Sequence, residues 1–125
     1  MAYVRGGVSM NTKINYLYRD GSNYKQYNEA VLEGEFTSED LKLIESVQDC
    51  ELFIPEQVGL HLVRIDDEIT EDDHCYAELF PEDDIELTDE EPYNGDCELI
   101  TWSQLMDNFR KIKETGWDEV TYVPY

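Results

Sequence analysis

Residues able to bind a metal or to act in catalysis are concentrated in the run Asp72-Asp73-His74-Cys75. Zinc takes imidazole, thiolate and carboxylate ligands, and a histidine beside a thiol is also a nucleophilic pair. Adjacent residues on a strand point in opposite directions, so this run does not converge on one ion. His61 and Cys97 are further candidates, but their spacing fits no zinc or calcium pattern. We expect no metal and no cofactor, and keep a hydrolase-like or metal-binding protein using His74 and Cys75, or His61, as the alternative.

Acidic charge is the dominant property of the chain. Thirty Asp and Glu residues oppose nine Lys and Arg, which gives a formal net charge of −21. From Asp66 to Glu98 there are sixteen acidic residues and no Lys or Arg. A field of this sign repels nucleic acid and anionic membrane surfaces and attracts basic proteins. We therefore expect a basic protein partner, no direct nucleic-acid binding and no membrane, in a protein that binds rather than catalyses.

The partner-binding surface is predicted mainly in this acidic segment. Carboxylates in ordered rows would imitate a nucleic-acid backbone, whereas one shaped patch would suit an inhibitor or immunity-type protein that neutralises a basic toxin or nuclease. The plain alternative is a solvated surface that serves solubility. Glu56 and Gln57, in a loop with Pro55 and Gly59, are predicted to line a groove. The candidate residues are Asp66, Asp67, Glu68, Glu71, Asp72, Asp73, Glu82, Asp83, Asp84, Glu56 and Gln57.

An aromatic cluster near the N-terminus is a second candidate surface. Tyr and Arg are favoured at the centres of interfaces, which makes such a cluster a possible contact for a partner. Tyrosines on strands are more often half-buried, with their hydroxyls in water, and we favour that structural interpretation. The cluster consists of Tyr16, Tyr18, Arg19, Tyr24, Lys25 and Tyr27.

Length and composition favour one folded domain in the cytoplasm. The chain has 125 residues, 41% of them hydrophobic and 12% aromatic, which is too apolar for a disordered acidic tail. No run approaches the ~20 apolar residues of a membrane span, and no secretion signal is seen. Three cysteines without such a signal favour reduced thiols. Residues 1–9 are polar and unpatterned, which predicts a flexible N-terminal segment before a single domain at 10–125.

Alternation of apolar and polar residues predicts strands. Ile14–Arg19 alternates in this way, a turn signal follows at Asp20–Asn23, and a second short strand is predicted within Tyr27–Glu35. Together these runs predict an N-terminal β-hairpin. Further strands are predicted at 60–65, 75–80 and 117–123, and the rest of the acidic segment is predicted to be loop with short extended pieces.

Two helices complete the predicted fold. Thr37 or Ser38 is suited to cap a helix that ends near Asp49 or Cys50. Thr101 and Gln104 form a capping box at the start of a second helix, for which Gly116 is placed as the C-terminal cap. The sum is a single α+β domain, with a mostly antiparallel sheet and two helices packed on one face.

Four short runs resemble a group of small uncharacterised bacterial proteins. They are Tyr-Leu-Tyr-Arg-Asp at 16–20, Asn-Tyr-Lys at 23–25, Phe-Ile-Pro-Glu-Gln-Val-Gly-Leu at 53–60 and Asp-Asp-His-Cys at 72–75. The likeness extends from about Met10 to Trp117. It implies a cytoplasmic bacterial protein and carries over no catalytic residue. In that group an aromatic residue and a second histidine or an acid tend to follow the His-Cys pair; here Tyr76-Ala77-Glu78 follows it, with no second histidine.

Overall fold

The computed structural model describes residues 10–65 and 69–125 of the chain. The predicted N-terminal segment 1–9 lies outside the described residues, as do Asp66, Asp67 and Glu68. None of the helices in the described ranges is both long and apolar enough to cross a membrane. The elements, in chain order, are β1 (Asn11–Arg19), β2 (Lys25–Leu32), α1 (Ser38–Val47), β3 (Leu52–Phe53), α2 (Pro55–Val58), β4 (Ala77–Glu78), α3 (Pro81–Asp84), β5 (Ile85–Thr88), α4 (Trp102–Thr115) and α5 (Glu119–Tyr122).

The sheet is antiparallel and is organised around β1. Strand β2 pairs with β1 along its length, from Leu32 opposite Thr12 to Lys25 opposite Arg19. The other edge of β1 is divided between two strands, because β5 pairs with its first half and β4 pairs with it at Leu17. Strand β3 lies outside β4, which gives the order β2-β1-β4-β3 with β5 beside β1. The predicted α+β domain is confirmed.

The alternation read in the sequence separates the two faces of β1. Thr12, Ile14, Tyr16 and Tyr18 are buried on one face, and the residues between them are half-buried on the opposite face. We call that opposite face the outer sheet face; directly opposed residues on neighbouring strands share it. The predicted hairpin is confirmed, although β1 begins at Asn11 and β2 spans Lys25–Leu32 rather than lying within 27–35.

Capping boxes define the starts of both long helices. Thr37 caps α1, and the Asp40 carboxylate accepts a hydrogen bond from the Thr37 backbone N–H in return. The same Asp40 oxygen accepts from the Trp102 indole at 2.8 Å, which joins the starts of α1 and α4. The predicted capping box of Thr101 and Gln104 is confirmed, and the Gly116 N–H bonds the Ile112 carbonyl at the end of α4. Apolar residues of both helices pack on the buried face of the sheet.

The strand predicted at 60–65 is wrong. These residues run beside β2 without forming a strand ladder. The Asn28 side chain takes the place of a backbone partner, because its Oδ1 accepts from the Val63 N–H and its Nδ2 donates to the Val63 carbonyl. The Asn94 Oδ1 accepts from the His61 N–H at 3.0 Å. Amide side chains therefore make the hydrogen bonds that a neighbouring strand would have made.

The strand predicted at 117–123 is also wrong. Asp118 accepts a hydrogen bond from the Thr121 N–H and so caps the short helix α5. The Trp117 indole donates to the Val47 carbonyl at 3.0 Å, which fixes the segment against the end of α1. The strand predicted at 75–80 is reduced to Ala77–Glu78, and Ile85–Thr88, expected as loop, is strand β5.

Candidate functional site

Two of the predicted acidic residues attach the acidic segment to the hairpin. The Asp73 carboxylate accepts a hydrogen bond of 2.5 Å from the Tyr18 hydroxyl and one of 2.9 Å from the Thr70 N–H. Asp72 accepts from the Ser22 hydroxyl, and its carbonyl accepts from the Gly21 N–H. Glu71 is exposed. Asp72 and Asp73 are therefore engaged within the protein, and Asp66, Asp67 and Glu68 lie outside the described residues.

Charges near Asp73 are balanced internally. Burial disfavours the Asp73 carboxylate, but hydrogen bonds from Tyr18 and Thr70, with the nearby Arg64, outweigh burial and lower its pKa. Burial and the bond to Asp73 raise the pKa of Tyr18 to about 12. The Arg64 guanidinium lies 5.6 Å from the centre of the Tyr18 ring and donates to the His74 carbonyl. This network holds the first part of the acidic segment, around Asp73 and His74, on β1.

Glu56 and Gln57 also have partners inside the fold. The Glu56 carboxylate accepts from Arg64 at 3.3 Å. Gln57 accepts from the Asp118 N–H and donates to the Gly116 carbonyl, so it attaches the C-terminal segment. Glu56 lines a hollow of about 310 Å³ with His61 and Cys97, and Gln57 does not.

The histidines are occupied by backbone groups. His74 Nε2 lies 2.6 Å from the Arg19 carbonyl, and its Nδ1 accepts from the Tyr76 N–H. Both ring nitrogens are thus used, with the proton on Nε2, and neither is directed at a substrate. His61 is buried, and its Nε2 lies 2.7 Å from the Glu29 carbonyl. The sequence alternative based on His74 and Cys75, or His61, gains no support from this geometry.

Cys75 and Cys97 are poor nucleophiles at neutral pH. Burial and the nearby Glu119 charge raise the pKa of Cys75, whose side chain is inaccessible. Burial and the carboxylates of Glu56 and Asp96 raise the pKa of Cys97. Reactive thiols need the opposite environment, because the thiolate is the nucleophile and the metal ligand. Within 10–65 and 69–125, no group of three or more His, Cys, Asp or Glu residues is arranged to hold a metal ion.

Glu82 and Asp83 line an open groove, which we call the acidic groove. It has a volume of about 390 Å³ and lies between the end of α1 and the start of α3. Asp84 does not line it; the Asp84 carboxylate instead accepts from the N–H of Phe80, the residue before α3. The residues that line the acidic groove are Glu45, Gln48, Cys50, Glu51, Phe80, Pro81, Glu82 and Asp83.

Four carboxylates from three parts of the chain surround the acidic groove. All four are exposed, and none of the ion pairs in the described ranges includes Glu45, Glu51, Glu82 or Asp83. Among the described residues, no Lys or Arg lines the groove. Helix α1 ends there with no basic residue in its last turn, so the negative end of its dipole adds to the carboxylates. The arrangement attracts a cation.

Hydrogen bonds through Leu79 fix the two walls of the acidic groove. Gln48 Nε2 donates to the Leu79 carbonyl, and the Leu79 N–H donates to the Glu51 carbonyl, each at 2.9 Å. Cys50 and Glu51 are the central residues of a tight turn in which Asp49 and Leu52 exchange backbone hydrogen bonds. Both have positive φ, +51° and +63°, as a type I′ turn requires. The turn presents the Glu51 side chain on a fixed backbone.

Sequence patterns pointed to only part of this groove. Glu82 and Asp83 were among the candidates, whereas Glu45, Glu51 and Phe80 were not. No strand in the described part of the chain carries two carboxylates two residues apart, so the ordered rows expected of a nucleic-acid mimic are not formed on those strands. Of the aromatic cluster, Tyr16 and Tyr18 are buried, while Tyr24 and Tyr27 are exposed.

Comparison with protein-family models, with curated proteins and with solved structures found no match to this chain. The resemblance to small bacterial proteins stays a prediction. Any function must therefore be argued from the geometry of the chain itself.

Proposed function

We propose that this protein is a non-enzymatic binding module that holds a basic partner protein in the cytoplasm, with cationic side chains of the partner in the acidic groove. The observation that carries the proposal is the set of four exposed carboxylates around one groove, with no Lys or Arg among the described residues that line it. An inhibitor or an immunity-type protein that neutralises a basic toxin or nuclease would use such a site.

The acidic groove is suited to binding by its charge and its rigidity. A net charge of −21 would speed encounter with a basic protein, but salt screens it beyond about 8 Å at physiological ionic strength. Specific binding therefore needs close contacts in a fixed geometry. The bonds through Leu79 fix the Gln48 side chain and the Glu51 backbone, so the walls of the groove are ordered before binding.

The test compares two triple variants that change the net charge equally. Each tagged variant is used to capture proteins from a bacterial lysate at about 150 mM salt, with the bound proteins identified and quantified by mass spectrometry. The groove triple is Glu51→Gln, Glu82→Gln and Asp83→Asn. The control triple replaces exposed carboxylates that do not line the groove and is Asp89→Asn, Glu91→Gln and Glu98→Gln.

A specific basic partner should be retained by the wild type and by the control triple, and lost by at least tenfold from the groove triple. That difference would separate the groove from overall charge, because both triples carry the same net charge. Two results would contradict a specific site. One is an equal loss of the captured partner in the groove triple and the control triple, and the other is capture of many different basic proteins that are all released at moderate salt.

A further inference from the structure

The outer sheet face carries a mostly apolar, partly exposed row, which we call the apolar row, beside the acidic groove. The strand register places Tyr27 of β2 opposite Leu17 of β1, Leu17 opposite Glu78 of β4, and Glu78 opposite Leu52 of β3. These four residues therefore form one row across the sheet, on the outer sheet face, which lies opposite α1 and α4. The Tyr27 side chain is 73% exposed, and Leu17 and Leu52 are half-buried.

Two hollows lie along this row and share Leu17 and Glu78. One has a volume of about 300 Å³ and is lined by Leu52, His74, Tyr76 and Ala77 in addition to the shared pair and Arg19. The other, of about 220 Å³, is lined by the shared pair together with Asn15, Tyr16, Tyr27, Phe80 and Asp84. Each is large enough to receive an apolar side chain, and an exposed apolar surface with such hollows is typical of an interaction site.

Phe80 connects the outer sheet face to the acidic groove. Its ring is 48% exposed, and Phe80 lines both the acidic groove and the smaller hollow. A ligand in the acidic groove therefore borders the apolar row without a gap in the surface. We propose that the outer sheet face anchors the same basic partner by receiving an apolar or aromatic side chain beside Phe80 and Tyr27, adjacent to the cationic side chains in the groove.

The acidic groove beside the row favours a cationic occupant. Of the cations on the outer sheet face, Arg19 is held by Glu78 at 2.7 Å and Lys13 is ion-paired with Glu29 and Glu90. Lys25, opposite Arg19, is exposed and has no ion pair among the described residues. Glu86 lies on the same face, opposite Lys13, and is exposed. A second copy of this chain also has a net charge of −21. Its approach to the acidic groove would be repulsive, which disfavours self-association. The complementary partner is basic and has an exposed apolar side chain.

This inference rests on the proposed function, and its test uses defined peptides. The probes are short oligolysine peptides, each with one Trp at a different position, and matched peptides with Ala in its place. Their Kd values are measured by calorimetry, and amide shifts of the ¹⁵N-labelled protein show where they bind. The best Trp peptide should bind about tenfold more tightly than its Ala match, because aromatic burial adds to charge attraction.

Two variants assign that gain to the outer sheet face. Phe80→Ala and Tyr27→Ala should each remove most of the gain from Trp, whereas Leu99→Ala, which replaces an exposed apolar residue outside both hollows, should retain it. Thermal unfolding of each variant checks that the fold is intact. Because Tyr27 is more exposed than Phe80, Tyr27→Ala is expected to destabilise the fold less than Phe80→Ala. Amide shifts of β1 and β4 should accompany the Trp peptides alone.

The possible outcomes separate the two proposals. If the Ala peptide binds the groove triple as well as it binds the control triple, the acidic groove is not the cation site and the proposed function fails. If the Ala peptide depends on the groove but no Trp peptide gains affinity, or if the gain survives both aromatic variants, the sheet-face inference is overturned while the proposed function stands.

Discussion

The Tyr18 hydroxyl donates a hydrogen bond of 2.5 Å to the Asp73 carboxylate and thereby joins the central strand to the acidic segment 55 residues later. Tyr18 is fully buried, and Asp73 is half-buried. The bond lowers the pKa of Asp73 and contributes to raising that of Tyr18 to about 12. The pKa of one partner is lowered and that of the other is raised. The contribution of this hydrogen bond to stability can therefore be measured from how the free energy of unfolding depends on pH.

Tyr18→Phe should shift acid unfolding to higher pH. Because the pKa of Asp73 is lowered in the fold, its stabilising contribution is present above the ordinary value near 4 and is lost as pH falls through the folded value. Removing the hydroxyl removes a bond that lowers this pKa, so this contribution is smaller in the variant and its total stability reaches zero at a higher pH. We also expect a cost of about 1–3 kcal/mol at neutral pH. Urea unfolding measured across acidic pH tests both effects.

Unfolding measured at alkaline pH gives an independent check of the Tyr18–Asp73 hydrogen bond. Tyr18 has a raised pKa, so its contribution is present below about 10 and is lost as pH rises through about 12. Tyr18→Phe should lack this alkaline loss. Tyr24→Phe, at an exposed tyrosine, should leave both limbs of the pH profile as they are in the wild type. An unchanged acid limb in Tyr18→Phe would contradict the role given to the bond.

Asn28→Ala should destabilise the fold by about 1–3 kcal/mol. The Asn28 side chain is 6% exposed and makes both a donor and an acceptor bond to Val63, at 3.1 and 2.7 Å. Truncation leaves the Val63 backbone groups without these partners. Gln26→Ala is the control, since the Gln26 amide bonds only the neighbouring Tyr27 carbonyl. Equal urea midpoints for the two variants would show that Val63 finds other partners.

The hydrogen bonds between the Asn28 side chain and the Val63 backbone also explain why part of the fold could not be predicted from sequence. The strands of the hairpin and the start of α4 were predictable because alternation and a capping box are local patterns. The residues at 60–65 have strand composition, yet their partners are amide side chains of Asn28 and Asn94, which are about thirty or more residues away. No spacing in the sequence indicates that an asparagine replaces a strand.

The candidate site was predictable only in part for a similar reason. Acidic residues next to one another looked alike in sequence, but Asp73 and Asp84 bond groups within the fold while Glu82 and Asp83 line the groove. Glu45 reaches the same groove from α1, which no local pattern relates to α3. The turn at Cys50–Glu51 also lacks the Asn-Gly signal of its type.

Asp40→Ala should cost about 2 kcal/mol, because it removes two interactions. The Asp40 carboxylate completes the capping box of α1 and accepts from the indole of Trp102, which is 3% exposed. Urea unfolding followed by tryptophan fluorescence measures the change. Glu39→Ala is the matched control, as Glu39 is exposed and pairs only with Lys42 at 3.5 Å. A cost for Asp40→Ala no greater than for the control would mean that the link between the helices adds nothing.

Relieving the positive φ angles at the rim of the acidic groove should stabilise the fold. Cys50 and Glu51 have φ of +51° and +63°, a conformation that costs a non-glycine residue about 1–2 kcal/mol. Cys50→Asn and Glu51→Gly, which supply the residues that a type I′ turn prefers, should each raise the urea midpoint.

The two substitutions differ in what they do to binding. Cys50→Asn keeps all four groove carboxylates, so affinity for an oligolysine peptide should stay close to that of the wild type. Glu51→Gly removes one carboxylate and should bind more weakly although it is more stable. This opposition arises because a charged residue is retained at a position where glycine is favoured for the backbone. If Glu51→Gly keeps full affinity, the Glu51 carboxylate does not contact the cation.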